Sequence, residues 1–138
     1  MGEEKDSGID LIFLGGPIDG VSVYGSSNWR AIIGRELADR GYTCYDPTRL
    51  WHGSHKGTVS ANRSVLRNCD LLLIFLKNPE IFTVGTWREV EFAKCHGIPV
   101  LLATAGFNLD HYVSLYDVEK IVLDGDIIGG VVNYLERR

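Results

Sequence analysis

Residues 71–104, LLLIFLKNPEIFTVGTWREVEFAKCHGIPVLLAT, contain two apolar runs separated by an amphipathic segment. The runs at 71–77 and 98–104 lack the alternation of a half-exposed strand, which is typical of strands covered on both faces. The segment GTWREVEFAKCHG between them has the mixed polarity of a surface helix. This stretch therefore predicts two parallel strands joined by a crossover helix.

The same alternation extends over the rest of the chain. Further strands are predicted at 9–16, 42–46 and 120–124, and further helices at 27–41, 60–69 and 126–138. The pattern predicts an α/β fold, with a single-domain doubly wound parallel five-stranded sheet of flavodoxin-like order 2-1-3-4-5. We expect residues 1–8 to form a flexible N-terminal tail and residues 9–138 to form the domain. The polar loops at 15–27 and 47–58 are long enough to be binding loops.

Composition limits the classes of partner. The 138 residues are 45% hydrophobic and carry a net charge of −4 without a Lys/Arg cluster, which argues against nucleic acid as a partner. The polar N-terminus is unlike a signal peptide, and no apolar run approaches the ~20 residues of a membrane span. Cys44, Cys69 and Cys95 lie in apolar segments and are predicted to be buried thiols of a reduced compartment. We expect a cytoplasmic protein that binds a small molecule and no membrane.

The predicted sheet order places a crevice between the first and third strands. Ligands of such sheets bind outside the carboxyl ends of the strands at this switch point. Gly15 and Gly16 follow the first strand and would allow a ligand to approach the backbone closely. The chain has neither the G-x-G-x-x-G fingerprint nor a P-loop. The loop after the third strand leads into TVGTWRE (83–89), so both loops should line this crevice.

Two interpretations of Glu89 follow from its position. Thr86 and Glu89 form a T-x-x-E capping box, in which both side chains bond the first backbone N–H groups of a helix. Alternatively, a glutamate in the first turn of a helix that points at the crevice would stay ionised, as a nucleophile must. The two roles are compatible, and the residues alone leave both open.

Four segments carry a resemblance to a known family. IFLGGPIDG, NRSVLRNCD, GTWREVEFAKCHGIPVLL and NLDHYVSL, in this order and at these spacings, resemble the nucleoside 2-deoxyribosyltransferase superfamily, which includes the nucleoside 5′-monophosphate N-glycosidases. The resemblance covers residues 10–118. It implies the doubly wound fold, a homodimer or larger homo-oligomer, and a reaction that uses no metal and no cofactor.

The resemblance also implies roles for individual residues. Glu89 matches the nucleophile that attacks the anomeric carbon, and the resulting glycosyl-enzyme ester passes the sugar to a second base or to water. Asn62 stands where the family has an aspartate that contacts the sugar and helps to protonate the leaving base. Phe13 stands where a tyrosine orients the nucleophile. Gly85 and Thr86 match the turn that presents the glutamate.

Other matched positions bear on the 5′ end of the substrate. Thr83 stands where the deoxyribosyltransferases have an aspartate and where the nucleotide hydrolases have a hydroxyl residue that binds the 5′-phosphate. A threonine favours a phosphate here, because a carboxylate would repel the phosphate. Pro17 and Asp19 argue against a 5′-phosphate, since the nucleotide hydrolases have a serine and an arginine at these two positions. Asn108 matches an asparagine that comes from a neighbouring subunit, with Asp110 close by.

Planar side chains are candidates for contacting the base. Arg49, Trp51 and Trp29 could stack on a nucleobase or bond its edge, although core packing explains Trp29 equally well and a solvated loop explains the other two. Trp87 could line the same pocket. His52 and His55 lack further ligands, so no metal site is expected.

The sequence therefore predicts an enzyme that cleaves or exchanges the N-glycosidic bond of a 2′-deoxynucleoside or its 5′-monophosphate through a glutamate-linked glycosyl-enzyme intermediate. The alternative is a catalytically weak or inactive nucleotide-binding module on the same fold, because Phe13 lacks a hydroxyl and Asn62 cannot give up a proton.

Overall fold

The structure, a computed structural model, describes residues 8–15, 23–47, 55–76, 84–104, 118–122 and 127–137. These ranges contain, in chain order, the elements β1 Leu11–Gly15, α1 Val23–Ala38, β2 Thr43–Tyr45, α2 His55–Leu66, β3 Leu71–Leu76, α3 Val84–Cys95, β4 Val100–Thr104, β5 Glu119–Val122 and α4 Ile127–Arg137. All strand pairs are parallel, and the sheet order is β2-β1-β3-β4-β5. The α/β class and the strand order are those predicted from the sequence.

The sheet has a hydrophobic core on each face, which explains why its strands are apolar without alternation. Neighbouring residues of one strand point to opposite cores. Leu14 of β1 packs with Ile33 of α1 and Val131 of α4 on one face. Phe13 packs with Leu66 of α2 and other apolar groups of α3 on the opposite face, which we call the α2/α3 face. The sheet is therefore covered on both sides by helices.

Two helices begin earlier than predicted. α1 begins at Val23 instead of near residue 27, and α2 begins at His55 instead of residue 60. The sequence has a serine at position 27 and another directly before Val23, so an N-cap serine fits either start. Residues 23–27 and 55–58 are therefore helical, and the two predicted binding loops are shorter than expected.

Glycines end α1 and α3 in the same way. The Tyr42 N–H donates to the Leu37 carbonyl and the Gly41 N–H donates to the Ala38 carbonyl, with Gly41 at a φ of 92°. This pattern is the Schellman motif, and it needs a left-handed residue that glycine adopts without strain. Gly97, with a φ of 71°, has the same place after α3. Gly41 therefore stands at the C′ position of α1.

Asp70 fixes the amino-terminal end of the sheet. Its carboxylate accepts hydrogen bonds from the backbone N–H groups of Asp10 and Leu11, both at 2.9 Å. These bonds join the start of β3 to the start of β1, at the edge opposite the predicted crevice. The residue therefore has a structural role.

The cysteines differ in exposure. All three are free; Cys69 is buried, Cys44 is half-buried and Cys95 is exposed at the end of α3. The prediction of a buried thiol is therefore wrong for Cys95. None of the helices in the described ranges is long and apolar enough to cross a membrane.

Candidate active site

The predicted switch point lies at the carboxyl end of β1. β1 lies between β2 and β3, and the chain passes from β2 to β3 through α2 on the opposite face from α1. Gly15, the last residue of β1, pairs with Ile74 of β3. The predicted crevice therefore corresponds to the carboxyl ends of these two strands, where the order of the sheet reverses.

The carboxylate of Glu89 lies directly against Gly15. A Cβ atom built on Gly15 would lie 2.9 Å from Glu89 Oε1 and 2.8 Å from Leu72 Cδ1, closer than real Cβ contacts. The described glycines with a positive φ are Gly8, Gly41 and Gly97. Glycine is therefore needed at position 15 because a side chain would not fit there, and not because of the backbone conformation. The sequence predicted a close approach of ligand to glycine; in the structure the protein's own glutamate makes that approach.

The capping-box interpretation of Glu89 is wrong. α3 begins at Val84, two residues before Thr86, and its first turn contains no acidic residue. Glu89 is thus the sixth residue of the helix, beyond the N3 position from which a capping box reaches back. Gly85 lies in the first turn, and the Thr86 side chain is buried. Glu89 Oε1 lies against Gly15 of β1.

Arg30 is a buried cation at this site that the sequence analysis missed. The residue lies in the middle of α1 and is only 1% exposed. Its Nε donates to the Leu14 carbonyl at 3.0 Å and lies 3.9 Å from Asp46 Oδ1. Burial lowers the pKa of the Arg30 guanidinium, and the carboxylates of Asp46 and Glu89 oppose that shift. Leu14 and Gly15 are adjacent, so the cation and the Glu89 carboxylate both lie near the end of β1.

Asn62 is held by a tyrosine from the neighbouring strand. The Tyr45 hydroxyl donates to Asn62 Oδ1 at 2.9 Å, joining the end of β2 to α2. The Tyr45 ring packs against Phe13 with ring centroids 5.2 Å apart. Phe13 itself is fully buried, so it supports Tyr45 and presents no surface to solvent. Burial is the main cause that raises the pKa of Tyr45, and Asp46 and Cys69 add to it.

Other polar and aromatic groups lie on the same face. Trp87 is half-buried and packs against the α2/α3 core. Thr104 ends β4, and its buried hydroxyl has no hydrogen-bond partner among the residues that the structure describes. By strand alternation Thr104 points to the same face as Leu102, beneath α3.

Several predicted site residues lie outside the described residues: Gly16, Pro17, Asp19, Arg49, Trp51, Thr83, Asn108 and Asp110. The side chain of Trp29 is not described either, although its backbone belongs to α1. Within the described ranges, no group of three or more His, Cys, Asp or Glu side chains is arranged to hold a metal ion. Of the predicted set, the structure brings Gly15 together with Glu89, and Phe13 together with Asn62 through Tyr45.

The arrangement combines an anionic oxygen, a cation and an amide. A carboxylate beside Gly15 can attack an electrophilic carbon that enters the crevice, and a buried arginine nearby favours its ionised form. Asn62 can form hydrogen bonds with a ligand but cannot release a proton. The signal for Arg30 in the sequence was a lone arginine within an otherwise apolar helix turn, WRAII, which is weak by itself.

Comparison with known proteins rests on structure. No family model matches the sequence, and no curated protein matches it. The fold is similar to that of a 2-deoxyribosyltransferase from Bacillus psychrosaccharolyticus, with 17% identity and a TM-score of 0.65 over 93% of this chain and 91% of that chain.

Two further solved structures are similar over nearly their whole length. The CMP N-glycosidase of Clostridium botulinum has 16% identity and a TM-score of 0.66, covering 94% of this chain and 100% of that chain. A 2-deoxyribosyltransferase from Leishmania mexicana has 16% identity and a TM-score of 0.66, covering 94% and 99%. The chain thus has the fold of the 2-deoxyribosyltransferases and the CMP N-glycosidase, as its resemblance to their superfamily predicted.

Proposed function

We propose that this chain belongs to the nucleoside 2-deoxyribosyltransferase superfamily and cleaves or exchanges the N-glycosidic bond of a 2′-deoxynucleoside or its 5′-monophosphate. The observation that carries the proposal is the contact between the Glu89 carboxylate and Gly15 at the end of β1. A glutamate that caps its own helix would have no reason to lie there. The proteins similar in fold, two 2-deoxyribosyltransferases and a CMP N-glycosidase, support the same reaction class.

The proposed reaction proceeds by two displacements. A Glu89 carboxylate oxygen attacks C1′ of the sugar, the C1′–N bond breaks with its electron pair on the base, and the base takes a proton from solvent. Water or a second base then attacks C1′ and gives up a proton to solvent, the ester C–O bond breaks, and the Glu89 carboxylate is restored. Two inversions at C1′ give overall retention of configuration.

Arg30 supports this role of Glu89. Its charge lies near the carboxylate, and a positive charge favours the ionised form that a nucleophile requires. Asp46 competes for the same guanidinium, with Oδ1 3.9 Å from Nε. The Arg30 guanidinium therefore interacts electrostatically with both carboxylates, those of Asp46 and Glu89.

We further propose that the working form is a cytoplasmic homodimer or larger homo-oligomer, with Asn108 reaching the substrate from a neighbouring subunit. The free thiols of all three cysteines fit a reducing compartment. Light scattering tests the assembly, and a mass equal to one chain at working concentrations would contradict it.

The reaction is tested with a panel of 2′-deoxynucleosides and their 5′-monophosphates, incubated with and without an acceptor base. Chromatography detects free base or a new nucleoside. We expect Glu89→Gln to lower base release more than about 10³-fold, because loss of a nucleophile removes the covalent route. Glu91→Gln is the matched control, since Glu91 is exposed on the same helix, and it should keep wild-type activity.

A covalent intermediate supplies the second readout. Rapid acid quenching followed by mass spectrometry should find wild-type chain with the mass of one deoxyribosyl group added, and Glu89→Gln should lack this adduct. Base release by Glu89→Gln at the wild-type rate would refute the proposed role of Glu89.

A catalytically weak or inactive nucleotide-binding module is the second candidate. The observation that favours it is the hydrogen bond that holds the Asn62 amide in place. An amide cannot donate a proton to the departing base, and a proton donor at this position would speed its departure. This candidate predicts binding of a panel member by calorimetry without base release, and Glu89→Gln would then change affinity but no rate.

A further inference from the structure

The side-chain amide of Asn62 forms a hydrogen bond through its oxygen and none through its NH2 group among the described residues. Its Oδ1 accepts the Tyr45 O–H at 2.9 Å. The residue is half-buried on α2, and its Nδ2 group has no hydrogen-bond partner in the described part of the chain. The oxygen is thus oriented toward Tyr45, and the two N–H donors of the amide are available to a ligand.

Tyr45 is itself fixed in place, so the orientation of the amide is built into the fold. Phe13 and Tyr45 are register partners on β1 and β2, and their rings pack 5.2 Å apart. Phe13 is fully buried, which anchors the pair to the α2/α3 core. Movement of the Tyr45 hydroxyl would therefore require repacking of a buried ring.

The amide and the nucleophile flank the same part of the sheet edge. Gly15 follows Phe13 by two residues on the same face of β1, and Glu89 Oε1 lies against Gly15. Two residues along a strand and one strand across correspond to a separation of roughly 8 Å between the Cα atoms of Tyr45 and Gly15. The residue that holds the Asn62 amide and the residue that contacts Glu89 are therefore close together at this edge of the sheet.

We propose that Tyr45 is a positioning residue that turns the Nδ2–H donors of Asn62 toward the ligand, so that the site selects a base with an acceptor atom there and supports its departure as an anion. This inference rests on the proposed function. The C1′–N electron pair moves onto the base, Asn62 stabilises the resulting charge by hydrogen bonds without giving up a proton, and solvent protonates the base afterwards. The substrate class is thus nucleosides or nucleotides whose bases are acidic enough to depart as anions.

The first experiment measures kcat/KM for base release in Tyr45→Phe, Asn62→Ala and the double variant. We expect each single variant to lose about 3- to 10-fold, the range of one hydrogen bond, and the double variant to lose no more than Asn62→Ala. Tyr134→Phe is the matched control, because the Tyr134 hydroxyl donates to Glu119 on the opposite face of the sheet. It should keep the wild-type rate. Losses that multiply in the double variant would overturn the proposal.

The second experiment varies the leaving group. Donors whose bases differ in acidity should react faster as the base becomes more acidic, with a steep dependence in the wild type. Asn62→Asp alone should change this dependence little. The new carboxylate would accept the Tyr45 O–H, and a hydrogen bond to the charged form favours that form, so the carboxylate would have no proton to give to the base. Asn62→Asp combined with Tyr45→Phe should flatten it more. Equal dependence in wild type and the combined variant would overturn the proposal.

A binding measurement separates failure of this inference from failure of the proposed function. If the wild type releases no base, the proposed reaction is refuted, and calorimetry with the 2′-deoxynucleoside 5′-monophosphates then tests the positioning role. Weaker binding by about 3- to 10-fold in Tyr45→Phe would support it. Equal affinity in wild type and Tyr45→Phe, or no binding of any panel member by the wild type, would overturn it.

Discussion

Replacing Gly15 by alanine tests whether the contact between β1 and Glu89 matters for the reaction. The new Cβ would lie 2.8 Å from Leu72 Cδ1 and 2.9 Å from Glu89 Oε1. Carbon atoms prefer separations of about 3.5 to 4.0 Å, so both neighbours must give way. Leu72 is fully buried in a close-packed core and resists, whereas the Glu89 carboxylate ends a longer side chain and can swing aside.

Two magnitudes follow from this geometry. Overpacking against Leu72 should lower the free energy of unfolding by about 1 to 3 kcal/mol. Displacing the Glu89 carboxylate by about 1 Å should lower base release by about 10²-fold, because misplacement of a reacting group by this distance has a cost of that order. Urea denaturation measures the first quantity, and chromatographic detection of free base measures the second.

Gly34→Ala is the matched control for this substitution. A Cβ on Gly34 would lie 3.8 Å from both Cys44 Cβ and Leu14 Cδ1, which is ordinary van der Waals contact. Alanine should therefore stabilise α1 by about 0.4 to 1 kcal/mol and leave base release unchanged. Wild-type base release by a folded Gly15→Ala would refute the reasoning, since it would mean that the position of Glu89 against Gly15 is not used.

Three further predictions concern stability and thiol chemistry. Arg30→Met should lower the free energy of unfolding by about 3 to 5 kcal/mol in denaturant titrations, because it leaves buried or half-buried carboxylates without their cation; a loss below about 1 kcal/mol would contradict the buried pairing. Asp70→Ala should lose about 1 to 3 kcal/mol through two unpaired backbone N–H groups while base release stays unchanged, and reduced base release in the folded variant would contradict its structural role. Burial raises the pKa of Cys44 and of Cys69 to about 12, so both stay protonated at pH 8 and a thiol-reactive dye should promptly label Cys95 alone, with all three reacting in denaturant. Prompt labelling of more than one thiol in the native protein would contradict the burial of the other two.

The strands could be predicted because their signal is local, whereas their order followed from the fold class that the alternation of strands and helices indicates. Each of the runs at 71–76 and 100–104 is apolar along its whole length, and only a strand covered on both faces uses such a run. Gly41 marked the end of α1 for an equally local reason, since it supplies the left-handed residue that the Schellman motif requires. The predicted starts of α1 and α2 were wrong because serine recurs at several nearby positions, and the sequence does not indicate which serine precedes the helix.

The location of the candidate site could be predicted, but the contacts of its side chains could not. Strand order located the crevice, and the resemblance pointed to Glu89, but neither indicated that this side chain reaches across to Gly15. That contact depends on α3 beginning at Val84, which moves Glu89 out of the first turn. The sequence pattern T-x-x-E is compatible with a cap, and only the start of the helix decides whether the cap exists.

The strands can be predicted from the amino-acid sequence because hydrophobic runs act over a few residues, and their order follows from the fold class that the alternation indicates. The partners of the charges and amides near the end of β1 depend instead on packing between elements. Arg30 and Asp46 are 16 residues apart and Tyr45 and Asn62 are 17 apart, and each pair meets only after α1, β2 and α2 have packed. Burial and hydrogen-bond partnership are set by all the elements that surround a group, so a pattern along the chain cannot supply them.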